Sequence, residues 1–358
     1  MTAKTKLVLA ALTTLCLTGC LDKEEIAFIG DAENILFTSQ GDLLVTGGES
    51  IYRINKLSNA QGQVSYQAES LYLGEKCSFT GIAQRDNWVF SVCGKPYIRW
   101  QGWTFKAGIE TRLMAANLAA QGSDGATLPL RFERITGSGT DNPLDAITLP
   151  NGLAFTPDGK LLIADSNYLG QGSVGRITLD LSGPLPRVAH FEKDWLGAQY
   201  GISTPNGVRV ADNTVYLSDN NKLRRIHLDS SHNAQQLFTN AQGQLVSNMD
   251  GDNLLYQGGL TIDDIMPYCG GVALTQFAEG RLVFVAASGK SFPTAPFAFK
   301  GPSSLAIGQG PDFNGYDLLV TEKGILQDNT STYGNQLSRI HMGIDLHAPQ
   351  SCAEIAAL

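Results

Sequence analysis

The chain has 358 residues, 43% of them hydrophobic and 17% charged, which supplies material for a large core and argues against disorder. Its formal charge is −8, with no basic stripe and no basic–aromatic alternation, so a nucleic-acid partner is not expected. A barrel or propeller of this length can be one domain, and 39 glycines suit a fold with many tight turns.

Lys4 and Lys6 precede an apolar run from Leu7 to Leu17, which leads into Leu17-Thr18-Gly19-Cys20. Basic, apolar and small-residue segments in that order make a secretory signal. The apolar run is too short to span a bilayer. The ending resembles the lipobox of bacterial lipoproteins. That resemblance implies cleavage after residue 19 and acylation of Cys20, so that the mature chain is membrane-bound through its lipid. Leu21, not Asp, follows the cysteine. By the same resemblance this directs the protein to the outer membrane of the cell envelope, facing the periplasm. Residues 1–19 are then signal peptide, 20–27 a lipidated tether, and 28–358 one domain. Removing Lys4 and Lys6 from the 26 basic residues leaves 24 against 34 acidic ones, a mature formal charge of −10.

From residue 28 onward one pattern recurs: a short apolar run, a turn, and a second apolar run. Ile35-Leu36-Phe37 pairs in this way with Leu43-Leu44-Val45-Thr46-Gly47, and Gly81-Ile82-Ala83 with Trp88-Val89-Phe90-Ser91-Val92. The clearest copy is Leu149 to Ser166, where Leu153-Ala154-Phe155 and Leu161-Leu162-Ile163 flank Thr156-Pro157-Asp158-Gly159. Pro presets φ there and Gly accepts a positive φ, so the stretch reads as a β-hairpin. Val208-Arg209-Val210 with Val215-Tyr216-Leu217, Val272-Ala273-Leu274 with Leu282-Val283-Phe284-Val285, and Leu305-Ala306-Ile307 with Leu318-Leu319-Val320 complete six copies. A third strand recurs as Ile51-Tyr52-Arg53-Ile54, Val174-Gly175-Arg176-Ile177, Leu223-Arg224-Arg225-Ile226 and Leu337-Ser338-Arg339-Ile340. Multi-stranded repeats of roughly 40–50 residues are the signature of a propeller. The expectation is an all-β six-bladed β-propeller, with about four antiparallel strands per blade. The expected blades are 28–75, 76–148, 149–196, 197–262, 263–297 and 298–345, and a strand near Ile26–Ile29 should close the ring onto the last blade. A monomer suits such a closed ring.

Setting aside Cys16 in the signal and Cys20 at the lipid leaves Cys77, Cys93, Cys269 and Cys352. An even count in an exported chain suggests disulfides, with three possible connectivities. Cys77 precedes the first strand of the second hairpin and Cys93 follows its second strand, so antiparallel pairing favours 77–93. The remaining pair, 269–352, would tie the tail to the fifth blade. His190, His227, His232, His341 and His347 fall on outer strands or loops, and no P-loop, GxSxG or dinucleotide fingerprint is present. Trp100 and Trp103, near Tyr97 and Phe105 in the long second-blade insertion, are candidates for a lid or a partner surface.

The residue two places before each first apolar run is, in order, Glu33, Thr80, Asn151, Asn206, Gly270 and Ser303. In a propeller these would ring the mouth of the central channel. Glu33, Asn151 and Asn206 offer the oxygen ligands that a hard cation such as Ca²⁺ takes. Asp165, Asp219 and Glu322, at second-strand ends, return to the same face. An Asn-Gly before a strand is also an ordinary turn, and strand-end acids often bind loop amides. The convergence of several such residues on one mouth is what favours a site.

Six repeats with Glu in the first, Asn-Gly in the third and fourth, and the Pro150-Asn151-Gly152 to Asp165-Ser166 segment resemble the gluconolactonase/senescence-marker-protein propeller family. The resemblance covers about 30–345. It implies a central divalent cation, with Glu33 and Asn206 as ligands and Asn151 touching substrate or metal-bound water. The family's remaining ligand is an Asp that also serves as general base, and the matching position falls on Gly270. Asp263 or Asp264, just before it, could replace that carboxylate.

Two functions follow as expectations. One is a lactone or ester hydrolase, with Ca²⁺ held by Glu33, Asn206 and Asp264, Asp264 also acting as the base, and Asn151 and Asp165 positioning substrate. The other is a non-catalytic propeller that presents its mouth to a small-molecule ligand or a cell-envelope protein.

Overall fold

The computed structural model describes residues 22–358, apart from 96–97, 101–102, 106–109, 122–127, 169, 325–329 and 357–358. The signal segment, Cys20 and Tyr97 lie outside the described residues.

A strand of the first repeat is not the first strand of the molecule, because β1 (Lys23–Phe28) precedes it. Blade 1 then runs through β2 (Ala32–Phe37), β3 (Leu43–Gly47), β4 (Ser50–Ser58) and β5 (Val64–Ser70). Blade 2 uses β6 (Ser78–Arg85) and β7 (Trp88–Lys95). A small hairpin of β8 (Ile98–Trp100) and β9 (Trp103–Phe105) interrupts it before β10 (Glu110–Asn117) and β11 (Glu133–Arg134). Blade 3 is β12 (Pro150–Phe155), β13 (Leu161–Asp165), β14 (Ser173–Asp180) and β15 (Arg187–Leu196). Blade 4 is β16 (Pro205–Ala211), β17 (Thr214–Asp219) and β18 (Lys222–His227). A second hairpin, β19 (Leu237–Thr239) with β20 (Leu245–Ser247), comes before its outer strand β21 (Leu254–Gln257). Blade 5 is β22 (Ile262–Tyr268), β23 (Gly271–Gln276), β24 (Arg281–Val285) and β25 (Ser291–Pro293). Blade 6 contributes β26 (Pro302–Ile307), β27 (Asp317–Glu322) and β28 (Gln336–His341), and its fourth strand is β1, antiparallel to β28. The fold is thus a six-bladed propeller closed by its N-terminal strand, with one α-helix among the described residues, α1 (Pro349–Ala356), in the tail. β1 begins inside the stretch read as tether.

The fifth repeat departs from the sequence reading. Val272-Ala273-Leu274 lies on the second strand of its blade, not the first, and Leu282–Val285 on the third. The innermost strand is β22, Ile-Asp-Asp-Ile-Met-Pro-Tyr, whose two acids and Pro267 conceal a strand pattern. An innermost strand has one unpaired edge at the channel, which is where Pro is tolerated.

The middle strands do not alternate polar with apolar. All five residues of β13 are buried, as are all six of β27, because each blade is packed on both faces. Each gap between blades holds its own apolar cluster. Leu44 and Phe79 meet between blades 1 and 2, Ile163 and Phe90 between 2 and 3, and Val208 and Leu162 between 3 and 4. Leu223 meets Ile265, Leu282 meets Leu305, and Leu319 meets Ile35 around the rest of the ring. The core is therefore a wheel of six interfaces.

Two disulfides fasten the wheel as expected. Cys77–Cys93 joins the entry of β6 to β7, with Cα atoms 5.7 Å apart, and Cys269–Cys352 joins the β22–β23 turn to α1. Replacing Cys77 and Cys93 together by Ser should lower stability by about 3 kcal/mol, the chain-entropy value for a loop of this length. Urea unfolding of the mature chain measures it, and a change under about 1 kcal/mol would show that the native contacts alone hold this hairpin.

Candidate functional site at the channel mouth

Every innermost strand carries a β-bulge near its start, at 32–35, 79–82, 150–153, 205–208, 262–265 and 302–304. A bulge re-aims the side chain that it carries. The first bulged residues are Glu33, Thr80, Asn151, Asn206, Asp263 and Ser303, and they form the ring at the mouth. The fifth member is Asp263, so a carboxylate stands at the ring position that the sequence reading gave to Gly270. Gly270 sits at the β22–β23 turn, at the far end of the strand, with φ 75°.

The glycine of each Asn-Gly pair has a steric reason. A Cβ on Gly152 would lie 2.6 Å from the Val208 nitrogen and 2.7 Å from the Asn206 carbonyl of the next blade. On Gly207 it would meet Asp264 Oδ1 and lie 3.1 Å from the Asp263 carbonyl. The glycines let successive inner strands approach, while the Asn before each faces the mouth. Hydroxyls on the second strands complete this seam. Thr46 Oγ1 accepts from Asn34 N and donates to Thr80 O, and Ser218 Oγ accepts from Gly207 N and donates to Asp263 O. Thr321 Oγ1 donates to Glu33 O at 2.7 Å. Ring members Thr80 and Ser303 donate to the carbonyls of Pro150 and Ala32, so both staple blades together.

The remaining members make a polar cluster. Asn206 Nδ2 donates to Asp263 Oδ1 at 2.7 Å. Glu33, 2% exposed, accepts from the Lys323 ammonium, which also lies 3.7 Å from Asp31. Lys323 follows β27 directly, and its backbone N–H is held by Gly301 O at 2.8 Å. Tyr168, in the loop after β13, is half exposed, and its hydroxyl lies near enough to Asp263 and Asn206 to be influenced by both. Asn151 is half-buried, and among the described residues its amide has no hydrogen-bond partner.

Burial and like charge shape the titration here. Burial first, and then the Glu33 charge, push the Asp263 carboxyl up to about 8, with Lys323 opposing. Burial and Asp263 push the Tyr168 hydroxyl up to about 12. Burial alone would lower the Lys323 ammonium, but Glu33, Asp31 and Asp263 outweigh it and hold its pKa above the ordinary value.

Asp264 and Asp165 do other work. The Asp264 carboxylate accepts from Arg209 and, at 2.6 Å, from Ser304 Oγ. Arg209 also reaches Asn34 Oδ1 of blade 1 at 3.1 Å, so this side chain crosses the channel from blade 4 and floors the mouth. Asp264 is accordingly part of the floor and is separate from the Glu33–Asn206 group. Its pKa is raised by burial, with Arg209 opposing. Asp165 is fully buried, and its Oδ1 accepts the N–H groups of Thr148 and Leu149, which fix the approach to β12. Asp219 holds Ser203 and Thr204, and Glu322 holds Lys300, in the same way. The strand-end acids are loop clamps, and no substrate contact is needed to explain them. Lys323, Arg209 and Tyr168 were not singled out by pattern. The available signal for Lys323 was its place directly after the strand-end Glu322.

The donors present do not suit a divalent ion. Glu33 is engaged by an ammonium, and Asp263 is engaged by Asn206. Among the described residues no three His, Cys, Asp or Glu side chains are grouped to hold a metal. A separate cavity of about 420 Å³, lined in part by Glu24, Lys56, Asp312, Asp317 and Arg339, lies at the outer seam of blades 1 and 6, away from the mouth. Its charges largely pair with one another, as in Arg339–Glu24 and Lys56–Asp312.

No protein-family model and no curated protein matches the chain. Solved structures do share its fold. The calcium-binding protein regucalcin from Agrobacterium tumefaciens is 16% identical over 88% of this chain and 93% of its own, with a TM-score of 0.52. A protein assigned as a gluconolactonase is 13% identical over 92% and 94%, with a TM-score of 0.51. The PQQ-bound aldose sugar dehydrogenase of Streptomyces coelicolor is 12% identical over 90% and 99%, with a TM-score of 0.52. At these identities the likeness is one of fold, and it bears out the expected six-bladed propeller, which the gluconolactonase, the regucalcin and the sugar dehydrogenase share.

Proposed function

We propose that this chain is a lipid-anchored cell-envelope propeller whose mouth binds a small polar molecule rich in hydroxyl and carbonyl groups. The observation that carries this is the convergence of Glu33, Asn206, Asp263, Lys323 and Tyr168, from five blades, on one partly open end of the channel. Asn151 adds an amide with a donor and an acceptor to offer. The three neighbours with this fold, a gluconolactonase, a calcium-binding regucalcin and a sugar dehydrogenase, make sugars, sugar acids and their lactones the first compounds to try. The Leu17-Thr18-Gly19-Cys20 segment supports the anchor at Cys20 and the outer membrane, periplasm-facing, as the address.

Lactone or ester hydrolysis is the second reading. It is favoured by Asp263, a buried carboxyl raised toward neutral pH beside an amide and a cation, which is the environment that suits a general base. Asp263 would take the proton from an attacking water, and Lys323 would face the oxygen on which negative charge develops.

A thermal-shift panel of sugars, sugar acids and lactones on the mature chain tests binding. The expected result is a concentration-dependent rise in midpoint that Asn151→Ala weakens by about tenfold, the value of one polar contact. A pH-indicator assay on the lactones that bind tests turnover, which Asp263→Asn should lower by at least about 100-fold if the carboxyl is the base. A panel without any shift would sink the small-molecule reading and leave an envelope protein as the partner to seek.

A further inference from the structure

We infer that Lys323 is a built-in cation standing where the mouth would otherwise take a divalent ion, so that this propeller's site works without metal. The inference rests on the reading of Glu33, Asn206 and Asp263 as the site. Lys323 leaves the end of β27, in blade 6, and its ammonium is bound by Glu33 and lies 3.7 Å from Asp31, two buried carboxylates at the start of blade 1. Asp263 is close enough to add to the same field. The arrangement has the charge pattern of an ion site, with several oxygens around one cation, but the cation is covalently attached. Its backbone is pinned by the Lys323 N–H to Gly301 O bond, and the side chain is 7% exposed, so it is not readily displaced.

A divalent ion needs six or more oxygens at 2.3–2.6 Å. To reach Glu33 it would have to enter beside a positive charge in a water-poor setting, where like charges repel strongly. An ammonium needs only a few acceptors and carries half the charge. It balances Glu33 and Asp31 less completely than Ca²⁺ would. Removing the ammonium without replacing its charge takes the Lys323 cation away from Glu33, Asp31 and Asp263, beside the Asn206 amide. That set is a vacant oxygen site.

The test uses the mature chain and Ca²⁺ alone, with midpoint and calorimetric titration as readouts. Wild type should be indifferent to EDTA and to millimolar Ca²⁺, and so should Lys323→Arg. Lys323→Met should gain Ca²⁺ binding, with a midpoint rise of roughly 3 °C at a hundredfold excess over Kd, and Lys323→Met/Glu33→Gln should lose it. Should Lys323→Met fail to fold, Lys323→Gln keeps a hydrogen-bond donor to Glu33 without the charge and serves instead. Ca²⁺ binding by wild type that Glu33→Gln abolishes would overturn the inference. So would a folded Lys323→Met or Lys323→Gln that ignores Ca²⁺. None of these readouts needs the mouth's natural ligand. An empty ligand panel would therefore sink the proposed function and leave Lys323 untouched, whereas a wild-type metal site would do the reverse.

Discussion

Replacing Arg224 by Met is expected to cost about 3–5 kcal/mol, the usual penalty for removing one partner of a buried ion pair. Arg224 is fully buried. Its Nε donates to Asp219 Oδ2 at 2.9 Å, and its terminal nitrogens donate to Asn253 Oδ1 at 2.9 Å and Gly201 O at 2.6 Å. Asp219 in turn clamps the amides of Ser203 and Thr204. One guanidinium thus holds the approach to β16, the end of β17 and the loop before β21. Met fills much of the same volume but leaves the Asp219 carboxylate charged and buried. The melting midpoint should fall by about 4–7 °C for a domain of this size. The partner Asp250 has a side chain 59% exposed, so Asp250→Ala should cost under about 1 kcal/mol. If Arg224→Met proves as mild as Asp250→Ala, the clamp does not hold blade 4 together. Recovery in Arg224→Met/Asp219→Asn would identify the stranded charge as the cause.

Arg209→Met is expected to cost about 3 kcal/mol near neutral pH by the same mechanism at the channel floor. Asp264 is 2% exposed, and among the described residues its Oδ1 already lacks a hydrogen-bond partner, so it depends on Arg209 and Ser304. Because Asp264 is raised in the folded chain, its contribution is fully present below the unfolded pKa and is lost as pH rises through the folded one. Loss of Arg209 raises it further, since Asp263 and Glu33 remain nearby with the same sign. The deficit of Arg209→Met should therefore be small near pH 4 and grow toward pH 8, and Asp264→Asn in the same chain should flatten it. Urea unfolding across that range measures both. A deficit independent of pH would mean that Arg209 acts by packing alone. The expected coupling also separates floor from mouth: Arg209→Met should change stability without creating Ca²⁺ binding.

How much of this was readable along the chain differs from residue to residue. Thr156-Pro157-Asp158-Gly159 identified its hairpin because a two-strand turn is settled by the conformations of four neighbouring residues. The Cys77–Cys93 pair followed from the same local geometry, since a hairpin returns its ends to one place. Ring closure by the segment near Ile26 followed from the need to cover an edge. Glu33, Asn151 and Asn206 could be aligned with one another, and share a bulge position on their innermost strands, because their repeats carry an unbroken apolar run two residues later. The fifth repeat lacks that run on its innermost strand. β22 offers Asp263, Asp264 and Pro267 where the others offer aliphatic residues, so the eye moves one strand outward, to Val272, and the ring position falls on Gly270.

The six-bladed wheel, its disulfides and three mouth residues were thus determined by short-range patterns, because hairpins and turns are decided within ten or so residues. Only the closed ring decided the chemistry of the mouth. Adjacent acids on a bulge face different surroundings, so Asp263 meets Asn206 while Asp264 meets Arg209. Lys323 and Glu33 are 290 positions apart, and they meet because the last blade packs against the first. No period along the chain carries that contact. Whether the cation in this mouth is a metal or a lysine is a property of the assembled wheel.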